Sequence, residues 1–199
     1  MVKIATFTRR LITMTFAVLG SAASTSAQQL GKSGSSAPFL TAMAGDWDVD
    51  QTMWTGPEAK PAKLPAAIAV RRIADGGGFL EEQMTLAGPS KEPFTRTSHI
   101  NRNAIDGVFE YFSIDTRAPQ QMHYQSQTSD VNFNGELQFK GATFVAERWG
   151  DKKNAAFAYR VELTPVIGNR QTLRLYLRPL EAGTPREFVA FRYEYRRRS

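Results

Sequence analysis

The sequence predicts an all-β fold: an antiparallel up-and-down β-barrel of about 8–10 strands behind a short N-terminal helical turn. Three observations carry that expectation. Apolar and polar residues alternate with period two from Asp46 almost to the C-terminus. Gly, Asn, Asp and Pro turns punctuate the alternation at intervals of about 8–14 residues, the rhythm of a barrel or sandwich. No helical period longer than one turn follows Ala44. Closure into a barrel also removes unpaired strand edges, which selects it over an open sandwich.

The N-terminus stands apart from that pattern. Lys3, Arg9 and Arg10 precede an apolar stretch, and Thr25-Ser26-Ala27 forms a small-x-small site, so residues 1–27 are expected to be an export signal cleaved after Ala27. The apolar stretch is roughly 10–13 residues, short of the about 20 that a spanning helix needs. Residues 28–38 are rich in Gly and Ser and read as a flexible leader. The barrel domain is expected over residues 39–199, with residues 39–44 as its helical turn.

The strands follow in order. Residues 46–54 place Trp47, Val49, Gln51 and Met53 on one face and Asp46, Asp48, Asp50 and Thr52 on the other. Residues 67–73 and 78–86 are joined through Asp75-Gly76-Gly77, a strong hairpin signal. Residues 94–101 and 108–114 flank a tight turn at 103–107. Residues 122–127, 133–139 and 144–149 come next, the last two separated by a turn expected at Lys140-Gly141. Residues 156–163, 172–178 and 188–196 complete the set, the last with Val189, Phe191, Tyr193 and Tyr195 on one side.

Composition narrows the function classes. There is no cysteine, which excludes a lipid-anchored lipoprotein, a disulfide framework and thiolate chemistry. The net charge of +6 falls by three, to +3, once Lys3, Arg9 and Arg10 are removed with the signal. The remaining excess sits mainly in Arg196-Arg197-Arg198, which reads as a solvated tail. Nucleic-acid binding requires basic residues gathered on one face, so no nucleic-acid partner is expected.

Several stretches resemble known proteins. Gly45-Asp46-Trp47 after a short apolar turn resembles the Gly-x-Trp opening of lipocalins and related calycin barrels. Together with Met53-Trp54-Thr55-Gly56-Pro57, Gly77-Gly78-Phe79-Leu80-Glu81-Glu82, the run from Gly107 to Asp115 and the final Phe191-Arg192-Tyr193-Glu194-Tyr195, the chain resembles a bacterial lipocalin-like family known only as a domain of unknown function. The resemblance implies a barrel with an internal cavity, and imports no enzyme activity. It also implies a cation stacked on the opening tryptophan, with Arg192 as the partner of Trp47 in a barrel-closing pair.

Candidate chemistry is sparse. Catalytic residues are expected to be none; Glu81, Glu82 and His99 are the weak candidates for acid–base work. Glu81 and Glu82 straddle a strand, so one alone points inward, to hold a ligand's polar end or to pair with Arg71 or Arg72. Asp46, Asp48 and Asp50 lack the glycine and glutamate spacing of a calcium loop, and no metal or cofactor is expected. Trp47, Trp54, Phe79, Phe109, Tyr111, Phe112, Tyr124, Tyr159 and Tyr193 are the candidates to line a cavity. The expected function is binding of a small hydrophobic ligand by a periplasmic or secreted barrel. An enzyme using the same cavity and an envelope interaction protein are the alternatives. The sequence leaves oligomeric state and ligand identity open.

Overall fold

The computed structural model describes residues 38–199 apart from 75–77, 89–93, 104, 127–134, 182 and 184–185, with the side chains of 118 and 119 also outside the description. The expected signal peptide and leader therefore lie outside the described residues, as does the Asp75-Gly76-Gly77 turn. One short helix, α1 (Pro38–Met43), precedes eleven strands: β1 (Gly45–Met53), β2 (Ala62–Lys63), β3 (Ala67–Ile73), β4 (Phe79–Leu86), β5 (Thr95–Arg102), β6 (Phe109–Asp115), β7 (Ala118–Ser126), β8 (Leu137–Trp149), β9 (Lys152–Leu163), β10 (Arg170–Pro179) and β11 (Phe188–Arg197). No helix among the described residues is long and apolar enough to cross a membrane.

Ten of these strands close a ring. Each pairs antiparallel with its neighbour in sequence from β3 to β11, while β1 joins β3 on one side and β11 on the other. The two-residue β2 adds to β1 at Thr52 and Met53. This is the up-and-down barrel that the alternation predicts. Along β1, Trp47, Val49 and Gln51 are buried and Asp46, Asp48 and Asp50 are exposed, so the period-two pattern sets the faces directly.

The barrel floor is the end at which β1 begins. Proline is tolerated in the first turn of α1 because its missing N–H would be unsatisfied there anyway. The helix buries Phe39, Leu40 and Met43 against that end, with Phe39 touching the Phe109 ring at 6.0 Å. Gly45 makes the bend into β1 at φ 134°, a conformation that a side chain strains to adopt, and a methyl group there would overlap the Arg197 guanidinium. The backbone conformation thus favours glycine at this corner.

Two expectations are corrected. Lys140-Gly141 is not a turn but lies inside the thirteen-residue strand β8, where the β8–β9 register slips between Lys140 and Thr143. A bulge of this kind bends the strand that carries it. Gly141 is required because the Tyr159 ring lies where its Cβ would stand. The true turn comes at Gly150-Asp151. The Arg196–Arg198 run is exposed at Arg196 and Arg198 but is not a tail: β11 runs to Arg197, Arg196 pairs with Asp50 and Arg198 with Asp48, each at 3.4 Å, and Arg197 bonds the Ala42 and Ala44 carbonyls at the end of α1. Asp48 and Asp50 supply that run with counter-charges, while Asp46 pairs with Arg72 on β3 at 2.6 Å.

The bulge has a further consequence for the wall. β7 and β8 pair through Tyr124–Gly141, Gln125–Lys140 and Ser126–Phe139. Beyond Gly141 the described residues of the two strands part, bridged by Gln120 Nε2 donating to the Val145 carbonyl at 2.6 Å. The long β8–β9 hairpin then continues past the barrel end opposite α1. Its Trp149 indole N–H donates to the Thr55 carbonyl at 2.9 Å, which ties the hairpin to the segment after β1.

Candidate functional site

The interior is built in layers from the floor upward. At the floor, Trp47 is fully buried, donates from Nε1 to the Met43 carbonyl at 3.0 Å and meets the Tyr195 ring edge-on at 6.2 Å. Its cation is not Arg192. The Arg197 guanidinium lies 4.3 Å from the Trp47 ring and that of Arg71 5.4 Å, whereas Arg192 projects from the outer wall at 5.6 Å from Trp54. The cause is register: Arg197 stands opposite Trp47, and Arg192 opposite Thr52.

Above the floor lies a buried charge layer. Glu82 points inward between two arginines, taking Arg71 Nε on Oε2 at 2.7 Å and an Arg96 terminal nitrogen on Oε1 at 2.6 Å, with Ser98 donating to the same Oε1 at 3.2 Å. Arg71 reaches across to Gln171, and Arg96 donates to the Tyr195 hydroxyl at 2.6 Å, so the layer connects strands from opposite sides of the ring. The Arg71 guanidinium stacks 3.9 Å from the Tyr195 ring and that of Arg96 4.3 Å from Tyr193. Burial alone would push the Glu82 carboxyl up. The Arg71 and Arg96 guanidiniums more than offset it and hold the carboxyl at about 2. Burial likewise pushes the Tyr111, Tyr124 and Tyr195 phenols above their usual range.

A carboxylate ionised at every physiological pH, with both oxygens engaged, is a structural anchor and not an acid–base group. The other weak catalytic candidates are on the outside: Glu81 is exposed opposite Arg72 and His99, and the His99 ring sits between Phe79 and Phe112 at 5.7 and 5.8 Å. The structure therefore does not bring Glu81, Glu82 and His99 together.

The upper end is aromatic. A chain of ring contacts climbs from Phe139 through Tyr111, Tyr124 and Tyr159 to Phe144, Phe157, Trp149 and Phe191, with centroid separations of 4.7 to 5.9 Å. Its lower members are sealed. Trp47, Phe109, Leu137 and Phe139 are 0 % exposed, so no water-sized void abuts them. Its upper members are different: Phe144, Trp149 and Phe191 remain half-buried, as do Leu86, Met122 and Leu175 around them. One polar group sits among them. Arg117 lies over the Phe94 ring at 4.0 Å, is held by Asp115 at 2.6 Å and donates to the Tyr193 hydroxyl at 3.2 Å.

The predicted lining residues separate accordingly. Trp47, Phe109, Tyr111 and Tyr124 fill the lower and middle barrel, Tyr159 and Tyr193 lie beneath the aromatic end, and Phe79, Phe112 and Trp54 face outward. Sequence reasoning missed Arg96, Arg117, Phe144, Trp149, Phe157 and Phe191 as members of either layer. A signal existed for Phe191, which shares the period-two face of Tyr193.

Ten antiparallel strands in sequence order, closed on themselves and plugged at one end by a short helix, define the class: an up-and-down β-barrel protein. Within that class, the chain belongs to the family described as "Protein of unknown function (DUF1579)", which it matches over residues 33–196. A search of curated proteins finds no match to it.

Proposed function

We propose that the protein is an exported barrel that binds a small apolar molecule at its aromatic end. One observation carries the reading: the α1 end is sealed, while at the other end Phe144 and Trp149 of the β8–β9 hairpin and Phe191 beside them stay half-buried. Pockets that take small organic molecules are mostly apolar, with a few polar groups that fix orientation. Here Arg117 and the Tyr193 hydroxyl are those groups. The lipocalin likeness of the Gly45-Asp46-Trp47 opening supports the same reading. The cavity expected from sequence moves upward, since the deep positions are occupied by the protein's own side chains. The acid–base alternative loses its support with Glu82 locked and Glu81 and His99 outside.

Native mass spectrometry of protein purified without detergent, repeated after denaturing extraction, tests the proposal, alongside titration with the neutral apolar fluorophore N-phenyl-1-naphthylamine. The expected outcome is a retained mass or saturable probe uptake, with uptake weakened about 10-fold by Phe191→Ala, as loss of a large buried apolar surface implies. The same spectrum reads the mature mass, expected to begin at Gln28. Neither retained mass nor saturable uptake, or uptake indifferent to Phe191→Ala, overturns the reading.

A further inference from the structure

A second concavity lies on the outer wall, apart from the aromatic end. It has a volume of about 360 Å³ and is lined by Trp54, Gly56 and Pro57 after β1 and by Arg174, Glu187 and Arg192 on and before the outward faces of β10 and β11. Volumes of this order suit a small organic molecule.

Its charges are arranged unusually. Arg174 and Arg192 stand directly opposite one another in the β10–β11 register, a placement of like charges that costs stability unless something neutralises it. The protein's own carboxylates do so poorly. Arg174 has Glu136 at 3.4 Å and Glu162 at 3.6 Å, and Arg192 has Glu194 at 3.5 Å. By contrast Arg160, one strand away, holds Glu162 at 2.5 Å and Glu187 at 2.7 Å, and Glu162 also accepts from the Tyr176 hydroxyl at 2.5 Å. Both carboxylates nearest the groove are thus committed to Arg160. Glu187 lines the groove, but its two oxygens each take the Arg160 Nε at 2.9 Å.

A second observation points the same way. Arg192 Nε is also buried without a hydrogen-bond partner, so the protein's own acceptors engage this guanidinium only weakly. The guanidinium also lies 5.6 Å from the Trp54 ring, looser than the 3.7 Å stack of Arg160 on Tyr176. Trp54 lines the groove beside the two arginines, so its indole offers them an apolar neighbour.

We propose that this groove is a binding site for a small planar organic carboxylate, with the carboxylate bridging Arg174 and Arg192 and the ring against Trp54. Guanidinium forks match carboxylates in geometry as well as charge, and the indole supplies the apolar face.

Benzoate, with benzyl alcohol as the neutral comparison, is the probe, read by isothermal titration calorimetry at low salt. Benzoate is expected to bind saturably and benzyl alcohol not to. Arg174→Gln and Arg192→Gln, both on the exposed wall and checked for an unchanged far-UV circular dichroism spectrum, should each weaken benzoate about 10-fold or more, the usual loss of a charge-assisted hydrogen bond. Phe191→Ala should leave benzoate unaffected, which separates this site from the aromatic end. Absence of benzoate binding up to about 10 mM, equal binding of benzyl alcohol, or unchanged affinity in the double arginine variant overturns the proposal.

Discussion

Replacing Glu82 by glutamine should be among the most damaging single changes available to this barrel, and its cost can be worked from the buried charge layer. The substitution keeps the shape but strands Arg71 and Arg96, whose side chains are only 2 % and 5 % exposed. Breaking a buried pair by removing one partner costs about 3–5 kcal/mol, because the remaining charge stays desolvated. The neighbouring phenols cannot replace the lost anion, since burial raises Tyr111 and Tyr195 away from ionisation. A second estimate comes from titration. A carboxyl held at about 2 in the fold against 4.5 when free corresponds to about 3 kcal/mol of folding free energy. The folded value is depressed, so this stability is present above pH about 4.5 and is lost as pH falls towards 2. Urea unfolding followed by circular dichroism at pH 7, and at steps down to pH 2, separates the two effects. Glu82→Gln should lower stability by about 3–5 kcal/mol at pH 7 and should flatten the acid limb of the pH profile by about 3 kcal/mol relative to the parent protein. A loss under about 1 kcal/mol at pH 7, or an acid limb identical in the two proteins, would refute the account of this layer as a coupled anchor.

Two further predictions concern the upper half of the barrel. Trp149→Phe keeps the ring contacts to Phe157 and Phe191 but removes the bond to the Thr55 carbonyl; amide exchange around residues 143–156 should quicken by up to about 10-fold, the equivalent of one hydrogen bond, and unchanged exchange would deny the latch. Gly141→Ala forces a methyl group into the Tyr159 ring and should destabilise by about 1–3 kcal/mol. In a Tyr159→Ala background the same change should be close to neutral, a double-mutant cycle that fails if the cost of Gly141→Ala is equal in both backgrounds.

The faces of the strands were legible from sequence because alternation is a local property. Trp47, Val49 and Gln51 point in, the three aspartates point out, and the inward choice between Glu81 and Glu82 narrows to one of two. Pairing of Glu82 with Arg71 was also within reach, as adjacent strands joined by a tight turn have limited registers. What alternation cannot supply is contact between distant strands. The partner of Trp47 depends on how β11 meets β1, about 150 residues apart in sequence, and a register displaced from the one assumed puts Arg197 there instead of Arg192. Period two already carried a warning, since Arg192 lies on the face opposite Tyr193 and Tyr195. Gly141 misled for a different reason. A glycine between alternating runs signals a turn or a bulge equally well, and only the ring of Tyr159, eighteen residues on, decides between them.

That bulge also decides where the barrel can adapt. Below Gly141 the wall is continuous, the interior is filled, and the Arg71–Glu82–Arg96 layer bonds one side of the ring to the other through Gln171 and Tyr195. A molecule entering there would have to displace buried ion pairs, at a cost no small ligand's contacts offset. Above Gly141, β8 leaves β7, and the described hydrogen bonds holding its upper half to neighbours other than β9 are those of Gln120 and Trp149, both bonds being solvent-exposed. Segments with few buried contacts and solvent-exposed hydrogen bonds open most readily. The half-buried Met122, Phe144, Trp149 and Phe191 lie along that opening. Gly141 thus marks the level at which β8 leaves β7, with the half-buried aromatic end lying beyond it.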